Sequence, residues 1–316
     1  MLEDGNNIEN VPIEKKEEKY TPPYDDYLFP RLSDVAGSKK LKTSLERIVE
    51  GIEYVDLFNF MHIKPDRSYL FKGEPGTGKT YSFKAIRNEI TYKGIDVTEM
   101  PYDIGRYGTA YINMGAVHLQ QFFDTGRKLA HKTGLVLYWF DEAENILGKR
   151  MGDKNHKEDE KLLDCLMKNL QAINSYSENE YVFFASNFPE AMDNAAIRAG
   201  RIDKIINFPM PNYEGLKMAY KGKIKKINNE HKKEFKTGLL EEINLNIVSK
   251  RSDGLSYADV EEIINGTLKD KIYDVIEKSK YKIKIIEKFK TEDFLKQIEK
   301  FKYERNTKKY DVGFIK

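Results

Sequence analysis

The sequence predicts an α/β fold: a three-layer arrangement with a parallel sheet between helices, followed by a small helical domain. Short apolar runs alternate with helical patterns from Leu32 onward, and this succession is typical of strands and helices wound around a parallel sheet. The strand signals stop after Pro211, and only helical periodicity follows. With 316 residues, 40% of them apolar and 33% charged, the chain is long enough to bury a sizeable core.

Five apolar runs are predicted to form the sheet, at 68–73, 95–104, 135–140, 181–186 and 203–209. Short continuous apolar runs suit strands that are buried on both faces. Helices are expected between them at 79–90, at 115–130 and around Cys165. The predicted organisation is a disordered or docking arm over 1–30, an α/β domain over 31–210, a helical domain over 211–303 and a tail over 304–316.

Charge, cysteine usage and the length of the apolar runs argue against several classes of protein. The 53 basic residues nearly cancel the 51 acidic ones, whereas a dedicated nucleic-acid binder usually carries a larger basic surplus. The single cysteine, Cys165, makes no internal disulfide, which suits a reducing compartment. The most apolar run, 134–140, is far shorter than the ~20 residues that a membrane span needs. We therefore expect a cytoplasmic protein without a membrane span.

The segment GEPGTGKT at 73–80 follows a predicted strand and opens a predicted helix. This is the order that a phosphate-binding loop requires, because glycines let backbone amides turn toward the phosphates and the helix N-terminus adds positive potential. Lys79 would supply a point charge, and Thr80 would hold a magnesium ion. The sequence therefore predicts ATP and Mg²⁺ as ligands.

Two further predicted strands end in polar side chains at the same edge of the sheet. Asp141 and Glu142 follow the run 135–140; Asp141 would bind the magnesium ion, and Glu142 would orient and deprotonate a water. The alternative is that these acids only cap the following helix. Asn187 follows the run 181–186 and would reach the γ-phosphate or the water, although an asparagine after a strand is commonly a turn former.

The stretch that begins at Asn187 resembles the second region of homology of the AAA ATPases. The matching residues are Asn187, Pro189, Asp193, Ala195, Arg198, Gly200, Arg201 and Asp203. The resemblance implies that Asn187 is a sensor asparagine and that Arg198 and Arg201 project into the ATP site of the next subunit. Arginines donated in this way stabilise charge on the transferred phosphate. Intramolecular salt bridges are the alternative role for both arginines.

Other segments resemble the same family, so the likeness covers roughly 32–303. The segment 32–50 is similar to the first segment of AAA modules, and 254–264 is similar to the start of their lid helix, except that Tyr257 stands where a glycine is usual. The residues that this resemblance and the phosphate loop assign to nucleotide binding are Asp34, Val35, Gly37, Glu74, Pro75, Gly76, Thr77, Gly78, Lys79, Thr80, Tyr81, Gly254 and Ala258.

The segment GTAYINMG at 108–115 lies where translocating members of the family carry a pore loop. Tyr111 and Ile112 take the positions of the aromatic and aliphatic residues that grip polypeptide, while Asn113 replaces the family's glycine. Ordinary packing is the alternative role for Tyr111. The charged run 148–161 is expected to be a solvated surface loop.

The resemblance thus implies an ATP-hydrolysing motor that remodels, unfolds or disassembles proteins. We expect a ring of identical subunits, hexameric by resemblance, that acts on a protein substrate directly or through an adaptor. The chain has no H-E-x-x-H motif, so a built-in metalloprotease is not expected. Two alternatives remain open: a slow ATP-dependent switch or scaffold that regulates a partner, and a motor that acts on DNA.

Overall fold

The computed structural model describes residues 30–102, 114–148, 156–177, 179–188, 192, 202–235, 240, 243–279 and 288–311. Within these ranges the strands are β1 (Ser68–Lys72), β2 (Val97–Tyr102), β3 (Leu135–Phe140), β4 (Glu180–Ser186) and β5 (Lys204–Asn207). They form one sheet in the order β2-β3-β4-β1-β5, and every pair is parallel. The predicted α/β class is confirmed.

Helices cover both faces of the sheet, and only helices follow β5 in the part of the chain that the structure describes. Those of the α/β part are α1 (Lys39–Glu53), α2 (Val55–Phe60), α3 (Lys79–Tyr92), α4 (Gly115–Thr133), α5 (Glu144–Leu147) and α6 (His156–Tyr176), preceded by a 3-10 turn at Leu32–Asp34. After β5 come α7 (Tyr213–Phe235), α8 (Leu245–Arg251), α9 (Tyr257–Ser279) and α10 (Thr291–Asp311). The chain therefore has the predicted order of an α/β part followed by helices.

The sheet separates two apolar cores because successive strand residues face opposite sides. In β3, Leu137 and Trp139 join a core with α1 and α3, while Val136 and Tyr138 join a core with α4 and α6. All six residues of β3 are buried. A strand covered on both faces needs apolar residues at every position, which explains why β3 reads as an unbroken apolar run.

An aromatic stack fixes α3 against the sheet. The ring of Phe83 in α3 lies parallel to that of Trp139 in β3, with centroids 4.4 Å apart and an interplanar angle of 19°. The Trp139 ring also contacts Phe71 of β1, and the Phe83 ring also contacts Phe183 of β4. Stacked aromatic pairs contribute beyond the area that they bury, so the start of α3 is held rigidly over the middle of the sheet.

On the other side of the sheet, Tyr138 passes close to the backbone of α4. Its hydroxyl donates to the buried carboxylate of Glu180 over 2.6 Å. A Cβ atom on Gly126 would lie 2.1 Å from that hydroxyl oxygen. The absence of a side chain at Gly126 therefore allows α4 to approach β3.

The helices after β5 enclose a third apolar core of their own, to which Leu216, Tyr220, Val248, Ile263 and Phe294 contribute. The proposed domain boundary at 211 falls just before α7 begins at Tyr213. The last helix runs to Asp311, beyond the predicted end of the helical domain at 303.

The charged run 148–161 differs from the prediction of a surface loop, because α6 begins at His156 inside it. The helix gains an apolar face against α4 only from Leu162 onward, so the charged residues before it are the first turns of an amphipathic helix. Among the helices that the structure describes, none is long and apolar enough to cross a membrane.

Candidate functional site

Lys79 is the centre of the candidate site, at the carboxyl end of the sheet. Its ammonium nitrogen Nζ donates hydrogen bonds to the carbonyls of Gly73 (2.8 Å) and Glu74 (2.9 Å) and to Oδ1 of Asn187 (2.7 Å). Burial lowers the pKa of Lys79, and the charges of Asp141 and Glu144 partly oppose that shift. The ammonium group is thus held over the loop that connects β1 to α3.

Glycines shape this loop. Gly76 and Gly78 have φ angles of +75° and +91°, in the left-handed region that favours glycine. A Cβ atom on Gly73 would lie 2.2 Å from the carbonyl oxygen of Phe208. With the loop in this conformation and α3 beginning at Lys79, the backbone amides and the helix N-terminus provide the type of cradle that binds phosphates. The residues present fit the phosphates of a nucleotide.

Two oxygen ligands suited to a magnesium ion lie beside the loop. Thr80 Oγ1 and Asp141 Oδ2 are 3.5 Å apart, and both residues are exposed. Magnesium in phosphate sites is held by one or two protein oxygens, phosphate oxygens and waters. The hydroxyl and the carboxylate therefore fit a magnesium ion that also contacts a bound phosphate.

Glu142 stands in a strained conformation next to Asp141. Its φ angle is +48°, which is uncommon for a residue other than glycine and is often found at functional sites. The backbone on both sides is fixed: the amide of Glu142 donates to Asp141 Oδ1 (3.0 Å), and the amide of Ala143 donates to the carbonyl of Ala185 (2.8 Å). The Glu142 carboxylate also accepts a hydrogen bond from Asn145 Nδ2 (3.2 Å). The backbone bonds and this side-chain bond together orient the carboxylate.

Asn187 reaches Lys79 because β4 lies between β1 and β3 in the sheet. Its side chain accepts from Lys79, and its backbone amide donates to Oε1 of Glu144 over 3.4 Å. Glu144 and Asn145 are site residues that the sequence reasoning missed. The signal was present in the segment DEAEN, where an acid and an amide follow Glu142 on the one-turn helix α5.

The N-terminal segment 30–38 is anchored on the far end of α3. The guanidinium of Arg31 binds both carboxylate oxygens of Glu89 at 3.0 Å and lies 3.7 Å from the ring centroid of Tyr92. In this segment Asp34 accepts from the backbone amide of Arg31 (2.9 Å), while Val35 is buried in the core. Gly37 lies against Leu41, which a Cβ atom there would approach to 3.0 Å.

The start of α9 contacts the loop directly. The amides of Tyr257 and Ala258 donate to the carbonyl of Gly76 at 3.0 and 3.3 Å. A Cβ atom on Gly76 would lie 2.5 Å from Ser256 Oγ. Gly254 occupies a left-handed turn just before this helix, with a φ angle of +79°. The helical part of the chain is therefore bonded to the loop that cradles phosphates.

Four of the predicted functional residues, Arg198, Arg201, Tyr111 and Ile112, lie outside the residues that the structure describes. Asp203, which belongs to the same motif as the two arginines, lies at the opposite end of β1 from the loop. Its Oδ2 atom accepts from the backbone amides of Arg67 (2.9 Å) and Ser68 (3.0 Å). It therefore caps the start of β1 and does not contact the candidate site.

Residues 69–210 match the family model described as "ATPase family associated with various cellular activities (AAA)". The chain is 28% identical over 241 residues to the ATP-dependent zinc metalloprotease FtsH 1 of Thermoanaerobacter sp.. This alignment covers 74% of this chain and 35% of the relative. The chain is 27% identical over 237 residues to the mitochondrial inner membrane i-AAA protease supercomplex subunit YME1 of Saccharomyces cerevisiae, covering 74% and 29%.

A putative cell division cycle ATPase of Plasmodium falciparum is 25% identical over 250 residues, which is 77% of this chain and 18% of the relative. The chain thus spans about a third of the length of FtsH 1 and of YME1, and under a fifth of the length of the Plasmodium protein. These alignments extend well past the sheet, since each covers about three quarters of the chain.

Proposed function

Since this chain is a member of the AAA ATPase family, we propose that it is an Mg·ATP-hydrolysing motor that remodels protein substrates as a ring of identical subunits, hexameric by resemblance. The observation that carries the proposal is the convergence of three strand ends on one ammonium group. The loop after β1, the acids after β3 and Asn187 after β4 all meet around Lys79.

We assign the chemistry to these residues as follows. Glu142 accepts a proton from a water whose oxygen bonds to the γ-phosphorus while the bond from that phosphorus to the bridging oxygen breaks, which yields ADP and phosphate. Lys79 and the amides of the loop neutralise charge on the phosphates. Thr80 and Asp141 would hold a magnesium ion, which would supply further neutralisation of that charge.

Arg198 and Arg201 are proposed to complete the site of a neighbouring subunit. A guanidinium that reaches the transferred phosphate in trans makes hydrolysis depend on assembly. The rate of ATP hydrolysis per subunit should then rise with protein concentration as rings form. Arg198→Ala and Arg201→Ala should abolish hydrolysis while ATP binding is retained, and Arg47→Ala, at an exposed position of α1, serves as the control.

A protein substrate is proposed from the relatives, two of which are named as proteases. Addition of unfolded casein should raise the ATPase rate, and Tyr111→Ala should remove that stimulation without changing the basal rate. Tyr303→Ala, at a residue with 71% of its surface exposed, should behave like the unchanged chain. Stimulation by DNA that weakens with salt would instead favour a DNA motor, and no stimulation by either polymer would favour a switch.

Concentration-independent hydrolysis by a strictly monomeric chain would contradict the ring. Sedimentation velocity, run at the concentrations used for the rate measurements and with ATP present in a Glu142→Gln chain, distinguishes a monomer from a ring directly. Because this readout does not depend on hydrolysis, it tests assembly separately from catalysis.

A further inference from the structure

Tyr257, the first residue of α9, lies between the phosphate loop and α7. Its ring atom Cδ2 is 3.6 Å from the position that a Cβ atom would take on Gly78. At the other end of the side chain, the hydroxyl oxygen is 2.7 Å from the position that a Cβ atom would take on Gly215 in α7. The aromatic side chain therefore spans the distance from the loop to α7, and the missing side chain of Gly215 makes room for its hydroxyl.

The backbone of the same residue holds the ring in place. The amide of Tyr257 donates to the carbonyl of Gly76, and Ser256 and Asp259 form a reciprocal capping box at the start of α9 (2.8 and 3.2 Å). Burial raises the pKa of Tyr257 to about 12. The side chain is thus a neutral, half-buried phenol ring in a fixed position beside the loop.

A second tyrosine, Tyr81, stands in the first turn of α3. Tyr81 follows Thr80 directly, and its pKa is raised to about 12 by burial, with smaller effects of the Asp34 and Glu261 carboxylates. Glu261 is four residues after Tyr257 and therefore shares its face of α9. Carboxylates of the N-terminal segment and of the face of α9 that carries Tyr257 thus both act on the pKa of Tyr81.

A nucleotide whose phosphates occupy 76–80 must place its sugar and base beside this loop. Aromatic faces bind bases by stacking, at about 1–3 kcal/mol per base, and every base offers such a face. We infer that Tyr257 forms a wall of the sugar and base compartment and sets the affinity for the nucleoside part of ATP. This inference rests on the proposed nucleotide binding at the loop.

A different role for Tyr257 would be to stiffen the phosphate loop through its contact with Gly78. The two roles make opposite predictions for a ligand that has phosphates but no nucleoside. A wall of the base compartment acts on ATP alone, whereas a support of the loop acts on ATP and on inorganic tripolyphosphate equally. Binding of both ligands therefore separates the roles without any measurement of hydrolysis.

The experiment is isothermal titration calorimetry of the full chain with ATP and with tripolyphosphate, each in the presence of Mg²⁺. Tyr257→Ala should weaken ATP binding about 10- to 100-fold, the equivalent of the stacking energy, and leave tripolyphosphate binding unchanged. Tyr257→Phe keeps the ring and should bind ATP like the unchanged chain. Tyr273→Ala, at an exposed position further along α9, is the matched control and should change neither affinity.

A second variant tests the position of the ring without removing it. Gly215→Ala places a methyl group 2.7 Å from the Tyr257 hydroxyl oxygen, which is too close, so it should displace the ring and weaken ATP binding while tripolyphosphate binding persists. Equal weakening of both ligands by Tyr257→Ala, or ATP binding that is unchanged or tighter, would overturn the inference. If the unchanged chain binds tripolyphosphate but not ATP, the inference fails as well, and if it binds neither, the proposed function fails with it.

Discussion

The Nζ atom of Lys79 lies 2.7 Å from the Oδ1 atom of Asn187 and donates a hydrogen bond to it. The contact joins the first residue of α3 to the residue that follows β4. It also means that the charge of the side chain at position 187 acts directly on the ammonium group that we assign to the phosphates.

We therefore predict that Asn187→Asp lowers ATP affinity more than Asn187→Ala. A carboxylate at this position would pair with the ammonium of Lys79 and compete with the phosphates for it, at a cost of about 1.5–3 kcal/mol for a charged hydrogen bond, which corresponds to at least about tenfold in affinity. Equilibrium binding of a fluorescent ATP analogue measures this. The control is Asn59→Asp, beside Arg67 at the amino end of β1, which introduces the same charge away from the site and should leave ATP affinity unchanged. Equal ATP affinities for Asn187→Asp and Asn187→Ala would contradict the prediction.

Glu142→Gln should retain ATP binding and lose about 10²- to 10⁴-fold in hydrolysis rate, the usual contribution of a general base. The amide cannot accept the proton of the water, but it can still receive the hydrogen bond from Asn145. Phosphate release at saturating ATP gives the rate. Glu46→Gln on the exposed face of α1 is the control, and undiminished turnover by Glu142→Gln would reject the assigned role.

Gly126→Ala should destabilise the fold by about 1–3 kcal/mol, the range for overpacked cores. The new methyl group would lie 2.1 Å from the hydroxyl oxygen of Tyr138, which is buried and bonded to Glu180. Gly51→Ala is the matched control, because nothing lies within 4 Å of a Cβ atom there, and alanine stabilises a helix by about 0.5–1 kcal/mol relative to glycine. Urea unfolding followed by circular dichroism should show opposite signs for the two variants.

The stability of the fold should decline as the pH rises above about 10. Burial raises the pKa of Tyr220 to about 12, and the pKa values of Tyr69 and Tyr181 are also raised by burial. The pKa of these tyrosines is near 10 in the unfolded chain and higher in the folded chain, so the folded state binds more protons at alkaline pH. The stability that this difference contributes is fully present below pH 10 and is lost as the pH approaches 12. Absorbance at 295 nm during an alkaline titration should show phenolate formation that coincides with unfolding; reversible titration of all tyrosines near pH 10 in the folded chain would contradict this.

Much of the α/β part could be predicted from the sequence, because the three central strands β1, β3 and β4 are buried on both faces and read as apolar runs. The predicted run 135–140 coincides with β3, and 181–186 differs from β4 by one residue. Asn187 was expected to reach the γ-phosphate or the water, and the strand before it, β4, lies between β1 and β3, which precede the loop and the acids. Parallel strand ends meet at one edge, so polar residues that follow strands are brought together by topology alone.

The contacts that could not be predicted depend on packing between distant segments. Tyr257 places its hydroxyl beside Gly215, and its backbone amide donates to the carbonyl of Gly76. These contacts join three separate parts of the chain. No local pattern specifies such contacts. The start of α6 at His156 was also missed, because its first turns carry charged residues and lack the apolar period by which helices are identified.

The stacking of Phe83 on Trp139 gives the molecule an intrinsic optical probe. Trp139 is the only tryptophan in the chain, so ultraviolet emission excited at 295 nm originates from a single point between α3 and β3, the strand that Asp141 follows. Any shift of α3 when ligands engage its first turn would alter the surroundings of the indole and hence its emission wavelength or lifetime. Movements at this site can therefore be followed in stopped-flow experiments on unlabelled protein.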